Sequence, residues 1–266
     1  MDDLEQPKSL VDGSEGKAAG VDTSGGPGAG SAASGAGTAP VADPFSDDPF
    51  YRAAVVDLLG ALAYGELTAF SRLAADADMA PNQPAKAALA RVAVAEFHHY
   101  EVLIGRLTEM GADPDEAMAP FIAPIDGFHD RTKPSGWLEG LVKAYVGDGI
   151  ATDFYREISA YVDPSTQTLV RSVLEDVGQA EFAVKTVREA IAADPTIAGR
   201  LALWGRRLVG EALSQSQRVA VERDALASLL VGGNNRPGAD LAEMGRMFAR
   251  LTDEHTRRMG KLGLNA

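Results

Sequence analysis

The stretch Glu96-Phe97-His98-His99 constrains this chain more than any other. Glu96 and His99 sit at the centre of a helical stripe that is otherwise apolar: Ala88, Val92, Leu103, Leu107 and Met110. Steps of three and four residues bring all seven side chains to one helix face. An acid and an imidazole on a core-facing stripe are costly to desolvate unless something neutralises them. A metal ion held between helices does so, and a carboxylate and an imidazole three residues apart on one face are suited to hold it. The stretch therefore calls for a helix bundle with a charged centre.

The rest of the chain agrees with an all-α reading. Ala and Leu are abundant, only 6% of residues are aromatic, and no segment alternates in the manner of a strand. Residues 1–47 are rich in Gly, Ala, Ser, Pro and Asp, typified by Gly25-Gly26-Pro27-Gly28, and read as a disordered tail. The domain itself is expected over 48–266, with a bundle core over about 48–192 and two further helices over about 195–262. Helices are predicted over 48–76, 84–110, 136–161, 165–192, 195–230 and 239–262. Gly111 is a left-handed stop for the second, and Ser165 the expected cap of the fourth. A Pro-rich crossover, 112–136, joins two hairpins and has room for a short helix over 114–129.

Composition excludes several functions. There is no cysteine, so disulfides, thiolate metal sites and cysteine nucleophiles are out. A net charge of −13 disfavours general nucleic-acid binding. Eight acids and two lysines give residues 1–47 a share of −6, which leaves −7 for the rest. No P-loop lysine or Gly-x-Gly-x-x-Gly follows a strand, and no nucleophilic triad is apparent. No run of about 18 apolar residues stands out and no secretory leader is visible, so a cytoplasmic protein without a membrane span is expected.

Glu66 lies on the core stripe of the first helix, with Val55, Leu59, Leu62, Phe70 and Leu73. If the first hairpin turns near residue 80, Glu66, Glu96 and His99 reach one depth. The second hairpin turns near residue 163 and carries Asp148 and Asp176 at matching distances from its turn. Glu66 and Glu96 are 30 residues apart, Asp148 and Asp176 are 28 apart, so the chain repeats a hairpin with an acid on each arm. Gln179 stands where a second histidine would fall. Metal binding and a metal-free polar network that fixes bundle register both satisfy this pattern.

The set Glu66, Glu96-x-x-His99, Asp148, Asp176-x-x-Gln179 resembles the ferritin-like di-iron carboxylate superfamily. Within it the pattern is similar to the tRNA hydroxylase-like branch, whose type member hydroxylates 2-methylthio-N6-isopentenyladenosine. In that branch a further acid follows each histidine by two, matched by Glu101 and Glu181, and the third helix carries two acids five residues apart, matched by Asp148 and Asp153. The resemblance covers about residues 50–190 and implies two iron ions. Their ligands would be Glu66, Glu96, His99, Asp148 and Asp176; Gln179, an amide in place of an imidazole, makes the second site weak or empty. Asp153, Tyr145 and Tyr155 are expected around those ligands.

The implied function is a non-haem iron hydroxylase acting on a modified tRNA or a small hydrophobic substrate, with an external electron donor and a homodimer as partners. The alternatives are a non-catalytic scaffold with a degraded site, motivated by Gln179, and iron storage. Of the remaining histidines, His98 is expected on the surface, His129 paired with Asp130 as a cap, and His255 on an exposed helix face.

Overall fold

The computed structural model describes residues 48–174, 179–232 and 238–266. Among them are nine α-helices and no strand: α1 (Pro49–Asp76), α2 (Gln83–Glu109), α3 (Pro114–Arg131), α4 (Trp137–Ser159), α5 (Pro164–Val173), α6 (Gln179–Ala193), α7 (Ile197–Glu222), α8 (Asp224–Val231) and α9 (Leu241–Lys261). The fold is an all-α ferritin-like bundle. The expected tail over 1–47 and Asp176 lie outside the described residues.

Short polar residues set the helix starts. Asp48, Asp113 and Asp163 each precede a proline and cap α1, α3 and α5 by accepting bonds from backbone N–H groups of the first turn. Asn82 and Asp240 do the same for α2 and α9. Asp163, not Ser165, is thus the cap of α5; Ser165 donates its own N–H and hydroxyl to the Asp163 carboxylate. Gly111 adopts φ +68° after α2, as expected. Its neighbour Ala112 donates to Leu107 O at 3.0 Å, which closes the helix end.

The expected fourth helix contains α5, which ends at Val173, and α6, which begins at Gln179; residues 175–178 lie outside the described residues. The fifth is interrupted at Arg223, whose backbone is at φ −127°, ψ 79°. The break frees the Arg223 side chain to reach buried Asp57 on α1, with Nε donating to Oδ2 at 3.0 Å. The C-terminal part is therefore three helices rather than two. The crossover holds a full 18-residue helix, α3, despite Pro120 and Pro124 inside it.

α1 is the central helix, packed by α2, α3, α4 and α8. It buries apolar residues all around its circumference, as an enclosed helix does. Together with the turn to Met79 it is long and apolar enough to cross a membrane, whereas no such run was expected from the sequence. Half of that stretch is buried within the bundle. Gly60 lets α3 approach closely: a Cβ at that position would collide with the Ala117 backbone carbonyl.

The buried apolar residues form two clusters. One gathers Leu58, Leu62, Leu103, Leu107, Phe121 and Ile158. The other gathers Leu73, Leu89, Leu141, Val146, Trp204 and Met259. α1, α2, α4 and α7 each pass from one cluster to the other. Several polar residues lie between the two clusters.

Candidate metal centre

On α1 the change of cluster falls between Leu62 and Leu73, and Glu66 lies there. On α2 it falls between Ala93 and Leu103, and Glu96 and His99 lie there. Antiparallel packing of α1 and α2 brings the three together. A carboxylate oxygen of each acid and a ring nitrogen of His99 all lie within 4.8 Å of one another. Glu96 is 6% exposed, and the Glu66 and His99 side chains are 12% and 18% exposed. Phe97, 5.1 Å from Phe70 and 5.6 Å from Tyr100 between ring centroids, packs beside the group.

His99 Nδ1 stands 3.4 Å from Glu66 Oε2 and 3.7 Å from Glu96 Oε2. Both are close contacts without hydrogen-bond alignment, and the buried Nδ1 has no hydrogen-bond partner. Burial, and then the neighbouring Glu96, push the Glu66 carboxyl well above its ordinary proton affinity. Burial acts upward on Glu96 too, but its contacts with Glu66 and His99 outweigh it and bring Glu96 below its ordinary value. Glu66, then Glu96, raise the His99 imidazole to about 10. With protein groups alone, two acids and an imidazole are thus balanced only by protons. A divalent cation can take the place of those protons. Ligand atoms about 2.1 Å from one ion lie roughly 3–4 Å apart, which is the scale of this group. The orphaned nitrogen, the mutual distances and the oxygen and nitrogen donors all fit one first-row ion.

The second hairpin meets the group differently. Tyr155 of α4 faces Glu66, and burial, then that carboxylate, hold its phenol proton more firmly than usual. Asp148 is exposed on α4, seven residues from Tyr155, or about 10 Å along the helix. It is not part of the three-residue group, although it and Tyr145 line a cavity that Glu66 and Glu96 also line. Gln179 is the first residue of α6.

Asp153 lies between the two clusters, 8% exposed, but protein cations already hold it. Arg258 of α9 pairs with its Oδ2, and Arg156 Nη1 is 3.4 Å from its Oδ1. Gly149 makes this possible, because a Cβ there would occupy the place of the Arg258 guanidinium. Arg258 also donates to Gly149 O at 3.0 Å.

Three further expectations are settled by burial. His98 is on the surface as expected, paired with Glu101 at 3.0 Å. His129 does not pair with Asp130. Burial, then Lys143 and Arg72, hold its imidazole neutral down to about 3, and its Nδ1 has no partner. Asp130 lies instead toward Arg72, at 4.0 Å. His255 is not exposed: it is 93% buried, on the inner stripe of α9 with Met247 and Met259.

A cavity of about 1080 Å³ opens beside the group. Glu66, Glu96 and Tyr155 line it, as do Leu62, Phe121 and Phe154. Sequence reasoning missed the cavity, since its walls come from helices far apart in the chain. It also missed Arg258, one residue among many basic ones near the C-terminus.

Fold and site together define a ferritin-like bundle with a carboxylate–imidazole group at its centre. The chain matches the family described as a ferritin-like domain of actinomycetes over residues 49–233, and it belongs to that family. No curated protein gives a significant match. The matched span contains Glu66, Glu96, His99 and Asp148, and leaves all of α9 outside.

Proposed function

We propose that the protein is a non-haem iron hydroxylase that acts on a small apolar substrate held in the cavity. The observation that carries this reading is that buried Glu96 and half-buried Glu66, balanced by a single imidazole, form part of the wall of a large, mainly apolar cavity. Glu66, Glu96 and His99 would hold the iron. When bound, such an ion supplies dioxygen reduction chemistry. The chain's own residues exclude water and place the substrate: Leu62, Phe121 and Phe154 give an apolar wall, and Tyr155 keeps a protonated phenol beside Glu66.

A second ion would require acids from the second hairpin. Asp148 and Asp176 are the residues that the resemblance assigns to it. The modified tRNA that the resemblance also implies is less well matched than a small molecule. Residues 48–266 carry −7 of the net charge of −13, which repels a polyanion at long range.

Elemental analysis of protein purified anaerobically and loaded with Fe(II) tests the reading. Roughly one iron or more per chain is expected for the wild type, falling several-fold in Glu96→Ala. Iron that binds both proteins equally, or neither, overturns it. The exposure of Asp148 favours one alternative, a non-catalytic bundle. In that case added iron leaves the melting temperature of wild type and Glu96→Ala unchanged.

A further inference from the structure

Four of the five lysines among the described residues, Lys86, Lys133, Lys185 and Lys261, are exposed. Lys143 of α4 is 7% exposed. It lies on the cavity lining, and so do the groups around its amine end: Arg72 and Asp76 of α1, and Phe128 and His129 of α3. Its Nζ donates to Thr132 O at 2.8 Å and stands 5.6 Å from the centre of the Phe128 ring. Among the described residues no carboxylate comes within ion-pair distance of it. A buried ammonium without an anion against it is costly, so the neutral amine is favoured. Burial brings the amine down to about 8, while Asp76 and Asp130 act upward on it and Arg72 downward.

A neutral amine has two N–H donors and one lone pair. One N–H stays on Thr132 O, so the lone pair is directed away from that carbonyl, and the side chain need not move to present it. An acid stands near. Asp76 Oδ2 lies 3.5 Å from the place a Cβ would take on Gly140, one turn before Lys143 on the same face of α4. The Asp76 carboxylate makes no capping bond to the turn that follows it. Burial raises this carboxyl, with Lys143 and then Arg72 acting against the rise. The other cations of the lining do not compete as nucleophiles. Arg72, Arg156, Arg171 and Arg258 are guanidinium groups that stay protonated, and Lys261 is exposed. Leu73, Leu89 and Val92 of the second apolar cluster line the same cavity.

We propose that Lys143 captures an apolar aldehyde in the cavity as an imine, with Asp76 moving the protons. The Nζ lone pair forms a bond to the carbonyl carbon, and Asp76 carries one proton from nitrogen to oxygen. Asp76 then protonates the resulting hydroxyl, which leaves as water while the nitrogen pair forms the C=N bond. The carboxylate takes back the remaining N–H proton. One amine and one aldehyde give one imine and one water, with no oxidant and no metal. The inference goes beyond the hydroxylase reading and does not rest on it.

Reductive trapping of EDTA-treated full-length protein with hexanal and cyanoborohydride at pH 7, read by peptide mass mapping, sets this against a Lys143 that only caps the end of α3. The hexyl label should appear at Lys143 at least about tenfold faster than at Lys86, Lys133, Lys185 or Lys261. At that pH roughly a tenth of Lys143 is neutral, against less than about a thousandth of an ordinary lysine. Decanol, apolar and unreactive, should slow labelling at Lys143 and leave the exposed lysines unchanged. Asp76→Asn should slow Lys143 several-fold, again with the others unchanged; if that variant does not fold, the wild-type arms decide. Labelling at Lys143 no faster than at the exposed lysines, or insensitive to decanol, overturns the proposal, since a capping lysine shielded by the bundle gives that result. Undiminished labelling in Asp76→Asn overturns the part given to Asp76. No arm reads iron uptake, so the metal reading stands or falls separately.

Discussion

In the first hairpin, Glu66 and Glu96 enter the gap between the two apolar clusters and find one imidazole between them. In the second, Asp153 enters the same gap and finds two arginines. Asp57, lower on α1, is like Asp153: a guanidinium, that of Arg223, reaches it from the break between α7 and α8. The residue types are alike and the burial is alike, but the counter-charge differs. Where the protein supplies an arginine, the acid is structural and permanently paired. Where it supplies only a titratable imidazole, the acids remain available to an external cation. The comparison teaches that a buried acid points to a metal only when the chain has not already provided its cation.

The largest test of this contrast is the removal of an arginine. Arg258→Met should cost up to about 3–5 kcal/mol in urea unfolding, because it leaves buried Asp153 with only the more exposed Arg156 beside it. The double change Asp153→Leu with Arg258→Met should recover most of that loss. If the single change costs nothing, Asp153 is not held as described and the contrast fails.

Next in size is the effect of a metal on the first hairpin. Fe(II) or Mn(II) at a hundred times its Kd should stabilise the wild type by about 2.7 kcal/mol, read as a rise in melting temperature under anaerobic conditions. Glu66→Gln and Glu96→Gln should abolish the rise. Their metal-free forms should be as stable as the wild type or more so, since each removes a crowded buried acid. A metal-free loss of several kcal/mol would place these acids with Asp153 instead.

A cap in the second hairpin gives a smaller effect. Asp163 accepts from the Ser165 and Thr166 N–H groups and from the Tyr51 hydroxyl of α1, at 3.0, 2.9 and 2.8 Å. Asp163→Ala should cost about 1–2 kcal/mol. Burial works to raise its carboxyl, but these donors outweigh burial and bring it down to about 2. The folded value is below the unfolded one, so the contribution is complete above about pH 4 and is lost as pH falls toward 2. An Asp163→Asn variant should show a flatter acid limb in that window. The smallest effect is at the turn after α2. Gly111→Ala, at φ +68°, should cost about 1 kcal/mol, without changing metal uptake.

Much of this was legible in the chain. The stripe around Glu96 and His99 and the facing stripe around Glu66 gave three residues that do come together. Helical periodicity is local, and the two stripes are joined by a short turn, so depth along the hairpin follows from counting residues. His255 also interrupts an apolar stripe, but the acids and arginines that crowd its helix mask that stripe in the sequence. Asp148 and Asp153 were harder. Both fit a sequence pattern, and they differ by five residues, so they fall on different helix faces. Sequence spacing alone does not say which of those faces turns inward.

By itself, the sequence determined an all-α chain, the starts and stops of most helices, and the pairing of α1 with α2. These depend on caps, prolines and apolar spacing, whose physics operates within a few residues. Only the tertiary structure decided which buried acids have a cation of their own. Arg223 and Arg258 come from 166 and 105 residues away in the chain, and no local rule connects them to Asp57 and Asp153. The cavity beside Glu66 and Glu96 belongs to the same class of fact. It is the space left between helices, and it exists only once they have packed.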